Sequence, residues 1–362
     1  MYGNIIFNVV ATLKSGASFA VWDNPRFYRT LSSLCIGLLV FIAIVNYLID
    51  PYEVYGTRIL PGVENNYYHV KLDLFKKADS MTRVLILGSS RAFSIDPDVV
   101  EEILGEQCFN FAVPGARAET YYSILKTVLD DYDCPIDTLI IGVDPEAFHP
   151  SIPIEPEARF IPGFSKNFIY DKNGHASAME RFLILISMDQ FNESCATIDN
   201  YFLNRTGRRK MEFFEDGYSV WTTRDSEIRD GTFDLEALLR KRIGTYAERS
   251  LYLTEFTDLG ESRKKYWEDL ITICDQRGIT LYVYMTPEHP DLYGSLMSKG
   301  AGGIFGKVRD YLDTTVSENG WVFRDYTNCE EAGLSPDLFY DEIHMRPENN
   351  TRLARNLLTS PQ

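Results

Sequence analysis

Arg83-Val-Leu-Ile-Leu-Gly-Ser-Ser-Arg91 is the stretch on which the reading of this chain turns. Its apolar run, residues 84–87, is broken by Gly88 and two serines, which predicts a buried strand delivering a hydroxyl at its carboxyl end. Ligands bind at that end of open α/β sheets. From here strand-like and helix-like patterns alternate. A helix opens at Asp96-Pro97, where aspartate suits an N-cap and proline the first helical position. Phe109-Asn-Phe-Ala-Val113 reads as a strand, residues 117–131 as a helix, and Thr138-Leu-Ile-Ile-Gly-Val143 as a further strand. Strand, helix, strand, helix, strand implies a parallel sheet and the α/β class.

After Asp144 the rhythm stops. Residues of about 145–258 are rich in aromatic and charged side chains with no βαβ pattern, and read as an insertion or lid. Alternation resumes with a helix at 261–277, where Tyr266, Leu270, Ile273 and Cys274 recur at helical spacing, followed by Ile279-Thr-Leu-Tyr-Val-Tyr-Met285 as another buried strand. A helix at 304–318, a strand at 321–326 and a helix at 347–358 complete the pattern.

Upstream, residues 31–49 (LSSLCIGLLVFIAIVNYLI) hold no charge over 19 positions, the length a helix needs to cross a hydrocarbon core of roughly 30 Å. They predict one transmembrane helix. The alternatives are a core helix or a signal peptide, but the stretch starts late for a signal and leads into Asp50-Pro51-Tyr52 rather than small residues. Lys14, Arg26 and Arg29 against Asp23 precede it, a net +2, so residues 1–30 are expected in the cytoplasm and the bulk of the chain outside it. Residues 50–82 read as a connector that packs on the domain, and 83–362 as the α/β domain.

With 362 residues, 45% hydrophobic and 24% charged, the chain can bury a substantial core. The formal charge is −16, and residues 50–362 carry 33 positive and 51 negative side chains, or −18, which makes nucleic acid a poor partner. Six cysteines show no metal-like spacing; Cys35 lies in the span, and the remaining five leave room for a disulfide without assigning one.

A second segment, Tyr340-Asp-Glu-Ile-His344, sets Asp341 and His344 three residues apart, so that the carboxylate can orient the imidazole. With Gly-Ser-Ser near the start, it resembles the SGNH (GDSL-type) hydrolase superfamily, in which a Gly-x-Ser segment opens the chain and an Asp-x-x-His segment closes it. The resemblance covers about residues 83–145 and 279–358. It implies a flavodoxin-like three-layer α/β/α fold with a mostly parallel sheet, Ser90 rather than Ser89 as nucleophile, and Asp341 and His344 as orienter and base. Asn110-Phe-Ala-Val-Pro-Gly115 resembles the family's second block, which implies oxyanion donors at the Ser90 and Gly115 amides.

The third block departs from the family. Gly142-Val143-Asp144 holds aspartate at the position of the usual asparagine, and an ionised carboxylate cannot donate to an oxyanion. Membrane-anchored members resembling the D-alanyl transfer protein of teichoic acid synthesis and the alginate O-acetylation proteins share that departure. That branch implies acyl transfer or ester cleavage on envelope glycans through an acyl-serine, with no cofactor and a multispanning membrane acyltransferase as possible partner. The rival is a degenerate domain that binds a glycan or holds such a complex together.

Arg91, beside the serine, could steer an anionic substrate or simply pair with a carboxylate. His289, in Met285-Thr-Pro-Glu-His-Pro290, could bind substrate or fill a Pro-bounded turn. The basic run of residues 205–210 reads first as a solvated surface, and no histidine–carboxylate spacing suggests a metal.

Overall fold

The computed structural model describes residues 25–57, 59–60, 66–78, 81–171, 177–205, 211–249 and 256–359. The side chains of Lys14, Asp23 and the basic run 205–210 lie outside them. Seven strands are described: β1 (Val84–Gly88), β2 (Cys108–Asn110), β3 (Thr138–Val143), β4 (Glu212–Phe213), β5 (Ser219–Val220), β6 (Thr280–Met285) and β7 (Val322–Asp325). Five of them form a sheet in the order β2-β1-β3-β6-β7, with all neighbours parallel, while β4 and β5 pair as an antiparallel hairpin.

The helices in chain order are α1 (Pro25–Ile49), α2 (Tyr67–Lys77), α3 (Pro97–Leu104), α4 (Ala118–Asp131), α5 (Ala178–Leu185), α6 (Met188–Arg205), α7 (Thr222–Arg229), α8 (Leu235–Arg249), α9 (Glu261–Arg277), α10 (Pro290–Ser298), α11 (Gly302–Ser317) and α12 (Pro347–Thr359), besides short turns.

Parallel strands covered on both faces need apolar side chains on both, which is why the strands read as continuous apolar runs. Leu85, Leu87, Leu139, Ile141, Leu281 and Val283 face one core, shared with α2, α4, α9 and α11. Val84, Ile86, Ile140 and Tyr284 face a second, shared with α3 and α12. The chain leaves β1 for β2 on one side and returns to β3 on the other, so connections diverge between β1 and β3 and open a crevice above their carboxyl ends.

β2 is shorter than its apolar run. The Asn110 side chain ends it, because Oδ1 takes the amide of Ala112 (3.0 Å) while Nδ2 donates to the carbonyls of Ala92 (2.9 Å) and Ile95 (2.8 Å). One buried amide thereby ties the edge strand to the turn that follows β1. The β4–β5 hairpin covers the same edge, with the Asn110 amide donating to the Asp216 carbonyl (2.9 Å) and the Ser219 amide to that of Phe93 (3.2 Å). A bare strand edge is thus capped. The connector contains a helix that the sequence pattern did not suggest: α2 sends Tyr68, Leu72 and Phe75 into the first core.

α1 reaches a mean hydropathy of 2.3 over its most apolar window, of which only 17% is buried. It is long and apolar enough to cross a membrane and is not a core helix. Its last turns are tied to the insertion: Asn46 Nδ2 donates to the carbonyls of Leu185 (2.9 Å) and Ser187 (3.1 Å), and Oδ1 accepts from Ser194 Oγ (3.1 Å). All six cysteines are thiols, with Cys108, Cys134, Cys274 and Cys329 buried, so the disulfide left open by the sequence is not formed.

Replacing Asn110 with alanine strands buried carbonyls and an amide, each worth about 1–3 kcal/mol when unpaired. Asn110→Ala is expected to lower unfolding free energy by about 2–4 kcal/mol in denaturant titration; a midpoint equal to wild type would contradict this role.

Candidate active site

β1 ends at Gly88, and the chain turns at once into a short 3-10 segment, Ser90–Ala92. The turn is tight because nothing occupies the Cβ position of Gly88: an added carbon would sit 2.6 Å from Ala92 Cβ and 3.3 Å from the Gly142 carbonyl oxygen. Ser89 is buried, and its hydroxyl accepts from the Arg91 amide (3.2 Å) as the cap of that turn. Ser90 is left half-buried at the crevice. Its Oγ lies 2.8 Å from His344 Nε2.

His344 and Asp341 come from the loop before α12. His344 Nδ1 lies 2.9 Å from Asp341 Oδ2 and 3.0 Å from Oδ1, and the amides of Ile343 and His344 donate to the same carboxylate at 3.0 and 2.9 Å. Burial alone would raise the Asp341 carboxyl, but the adjoining His344 ring, its hydrogen bond and those two amides hold it well below the usual carboxylate range. A carboxylate that stays ionised fixes the imidazole with its Nε2 lone pair toward Ser90.

Gly115 stands at φ +61°, where a side chain would be strained, and an added Cβ would meet Glu155 Oε1 at 2.5 Å. Among the described residues, neither the Ser90 nor the Gly115 backbone N–H has a hydrogen-bond partner. Unspent amides are what an oxyanion site requires.

Asp144 follows β3 and is buried. Its Oδ1 accepts from Thr286 Oγ1 (2.8 Å) and lies 3.5 Å from Arg91 Nε. The carboxylate is therefore held by an arginine and a threonine.

Arg91 is 3% exposed and does not meet solvent as a substrate-steering residue would. Its guanidinium lies 2.8 Å from Glu288 Oε1 and 3.5 Å from Glu146 Oε1, and it donates to Thr286 Oγ1 at 3.2 Å. The partners sit just past the carboxyl ends of β3 and β6, with Glu146 on the 3-10 turn Pro145–Phe148. His289 takes the second of its two readings and fills the turn: Nδ1 caps α10 through the Asp291 amide (3.3 Å), the ring bonds the Pro336 backbone, and the ring meets that of Phe339 edge to face.

The insertion closes over this arrangement with side chains that no motif announced. The Trp221 ring stands 4.8 Å from that of His344, between centroids. Arg242 on α8 lies 3.5 Å from Asp341 Oδ2 and 2.8 Å from Glu342 Oε1. Tyr246, one turn on, reaches Arg91 with its hydroxyl at 3.5 Å. The only trace of them in the sequence is the aromatic and charged richness of the insertion. The described residues at the triad form no metal-binding cluster; a group of three carboxylates, Asp96, Asp98 and Asp216, lies elsewhere.

The family described as protein of unknown function (DUF1574) matches residues 39–359. The chain belongs to the DUF1574 family. No curated protein matches it. The DUF1574 match starts within α1 and ends at the last residue of α12, so it takes in the insertion together with both halves of the sheet.

One guanidinium shared by three carboxylates leaves Glu288, which is fully buried, with its pKa pushed up to about 7 by burial against the pull of Arg91, with Glu146 and Asp144 adding to the rise. The folded protein then holds an extra proton between the ordinary value of 4.5 and about 7, so this group's contribution to stability declines as pH rises through that window. In Glu288→Gln the decline of melting temperature across that window should be shallower than in wild type; parallel profiles would contradict the assignment.

Proposed function

We propose that this DUF1574 protein is a membrane-anchored serine enzyme of the SGNH type that transfers or hydrolyses acyl groups, acetyl foremost, on esters of envelope or exported glycans. The observation that carries the reading is the hydrogen-bonded line Ser90 Oγ, His344 and Asp341, assembled from the two ends of the domain at the carboxyl edge of a parallel sheet. The strand order, a first strand flanked by the second and third, agrees with a flavodoxin-like three-layer architecture. α1 then spans the membrane. Arg26 and Arg29 at its start, with the net +2 before residue 31, favour a cytoplasmic amino terminus and an extracytoplasmic site.

In the reaction His344 Nε2 takes the Ser90 proton as Oγ attacks the ester carbonyl carbon. The carbonyl oxygen becomes an oxyanion facing the Ser90 and Gly115 amides. His344 returns the proton to the departing alcohol, leaving an acyl-Ser90. An incoming hydroxyl then loses its proton to His344 and attacks the acyl carbon, and His344 passes that proton to Oγ as Ser90 leaves. With water as acceptor the result is hydrolysis, and with a glycan hydroxyl it is transfer. Asp341, held ionised, stabilises the imidazolium in both halves.

A degenerate glycan-binding or scaffold domain draws its support from Asp144 alone, and the buried ties of Asp144 to Arg91 and Thr286 give that residue a place in a working site. Full-length protein in detergent should hydrolyse an aryl acetate, and Ser90→Ala or His344→Gln should lower kcat by at least ~10³, with Asp341→Asn lower by about 10³–10⁴. A folded Ser90→Ala variant turning over at the wild-type rate would overturn the proposal.

A further inference from the structure

Helices α5 and α6 carry an apolar surface that no described part of the chain covers. Met179, Phe182 and Leu183 on α5 are spaced i, i+3, i+4 and so share one face, at 64%, 56% and 52% exposed, and α5 buries none of its residues. Met188, opening α6, is 54% exposed. A contiguous apolar face of this kind marks an interaction site.

Its location names the partner. The pair lies beside α1: Asn46 is bonded to Leu185, Ser187 and Ser194, and the Phe191 ring of α6 packs on Phe41, with centroids 6.1 Å apart. Phe41 precedes Ile49, the end of α1, by eight residues, about 12 Å at the helical rise. α6 therefore runs alongside the apolar stretch of α1. Around that level α1 exposes Phe41, Ile44 and Leu48, so one apolar surface continues from the helix onto its neighbours.

We propose that α5 and α6 are seated in the bilayer interface on the side of the α/β domain, with the Met179-Phe182-Leu183 face at the border of the acyl chains. The partner of this surface is lipid. The proposal rests on the reading of α1 as a membrane span. The seat is apolar rather than electrostatic: Asp189, Glu193 and Asp199 lie on α6, and the chain is formally −16, which opposes attraction to anionic headgroups. Arg181, the basic residue on α5, is turned away to donate to the Val54 carbonyl (2.7 Å). An interfacial helix pair would hold the insertion, which also supplies Trp221, Arg242 and Tyr246, against the membrane.

The test uses the full chain in phosphatidylcholine nanodiscs, with Cys35→Ser and Cys195→Ser removing the exposed thiols. Nitroxide labels are placed singly at Phe182→Cys and Leu183→Cys, at Leu38→Cys in α1 as the lipid reference, and at Asp313→Cys on α11 as the water reference. Power saturation compares collision with oxygen, which concentrates in lipid, and with a nickel chelate, which stays in water. The expected result is an oxygen-to-nickel ratio at 182 and 183 well above that at 313 and approaching that at 38. A ratio at 182 and 183 equal to that at 313, while 38 remains in lipid, overturns the interfacial seat and leaves the span intact. All four labels behaving like 313 overturns both. Labels at 182 and 183 shielded from both reagents mean a protein covers the face, which also overturns the proposal.

Discussion

Gly88 packs so closely on Gly142 and on the Ala92 methyl that a single added carbon would collide with them, and this contact sets where β1 ends and its turn begins. Because Gly88 and Gly142 are register partners, the turns after β1 and β3 leave the sheet at one level. Ser90 and Arg91 come from the first turn and Asp144 and Glu146 from the second. β6, in register with β3, brings Thr286 and Glu288 to the same height. The crevice is built from strand ends whose separation is fixed by backbone hydrogen bonds, which is the kind of rigid support that a site needing sub-ångström placement demands.

The arrangement sorts its charges by burial. Asp341 is desolvated yet surrounded by donors, so it remains ionised next to His344. Glu288 is desolvated and shares one cation with two other carboxylates, so its proton is held more tightly. Two carboxylates in one crevice are thus pushed in opposite directions by their neighbours, the pattern that separates roles among like groups. Arg91 neutralises acid behind Ser90 and, by engaging Asp144, gives a buried partner to the aspartate that stands where the SGNH resemblance implies a side-chain donor.

Much of this was legible in the sequence, for physical reasons that differ by element. The bounds of β3 and α9 follow from unbroken apolar runs and helical spacing with glycine or proline at the ends. Asp341 and His344 were readable as a pair because their contact is local; a glycine and a strand end announce a serine hydroxyl, and only the SGNH resemblance pointed to Ser90 over Ser89. Arg91 was left open between steering a substrate and pairing with a carboxylate because a sequence shows charge but not burial; its partners Thr286 and Glu288 are 195 and 197 residues away. Trp221, Arg242 and Tyr246 were invisible, since they belong to an insertion without periodicity and reach His344, Asp341 and Arg91 only through folding. α2 and α10 were missed because short helices bordered by Pro, Gly and Asn look like loops.

The central claim is that Ser90 is the nucleophile and His344 its base. The most direct measurement is peptide-level mass spectrometry of the folded, full-length protein after exposure to a fluorophosphonate, which traps a serine only when its hydroxyl is activated. The account predicts a single phosphonyl adduct on Ser90 that is lost in His344→Ala. An unmodified Ser90, or an adduct on Ser89 that persists without His344, would contradict it.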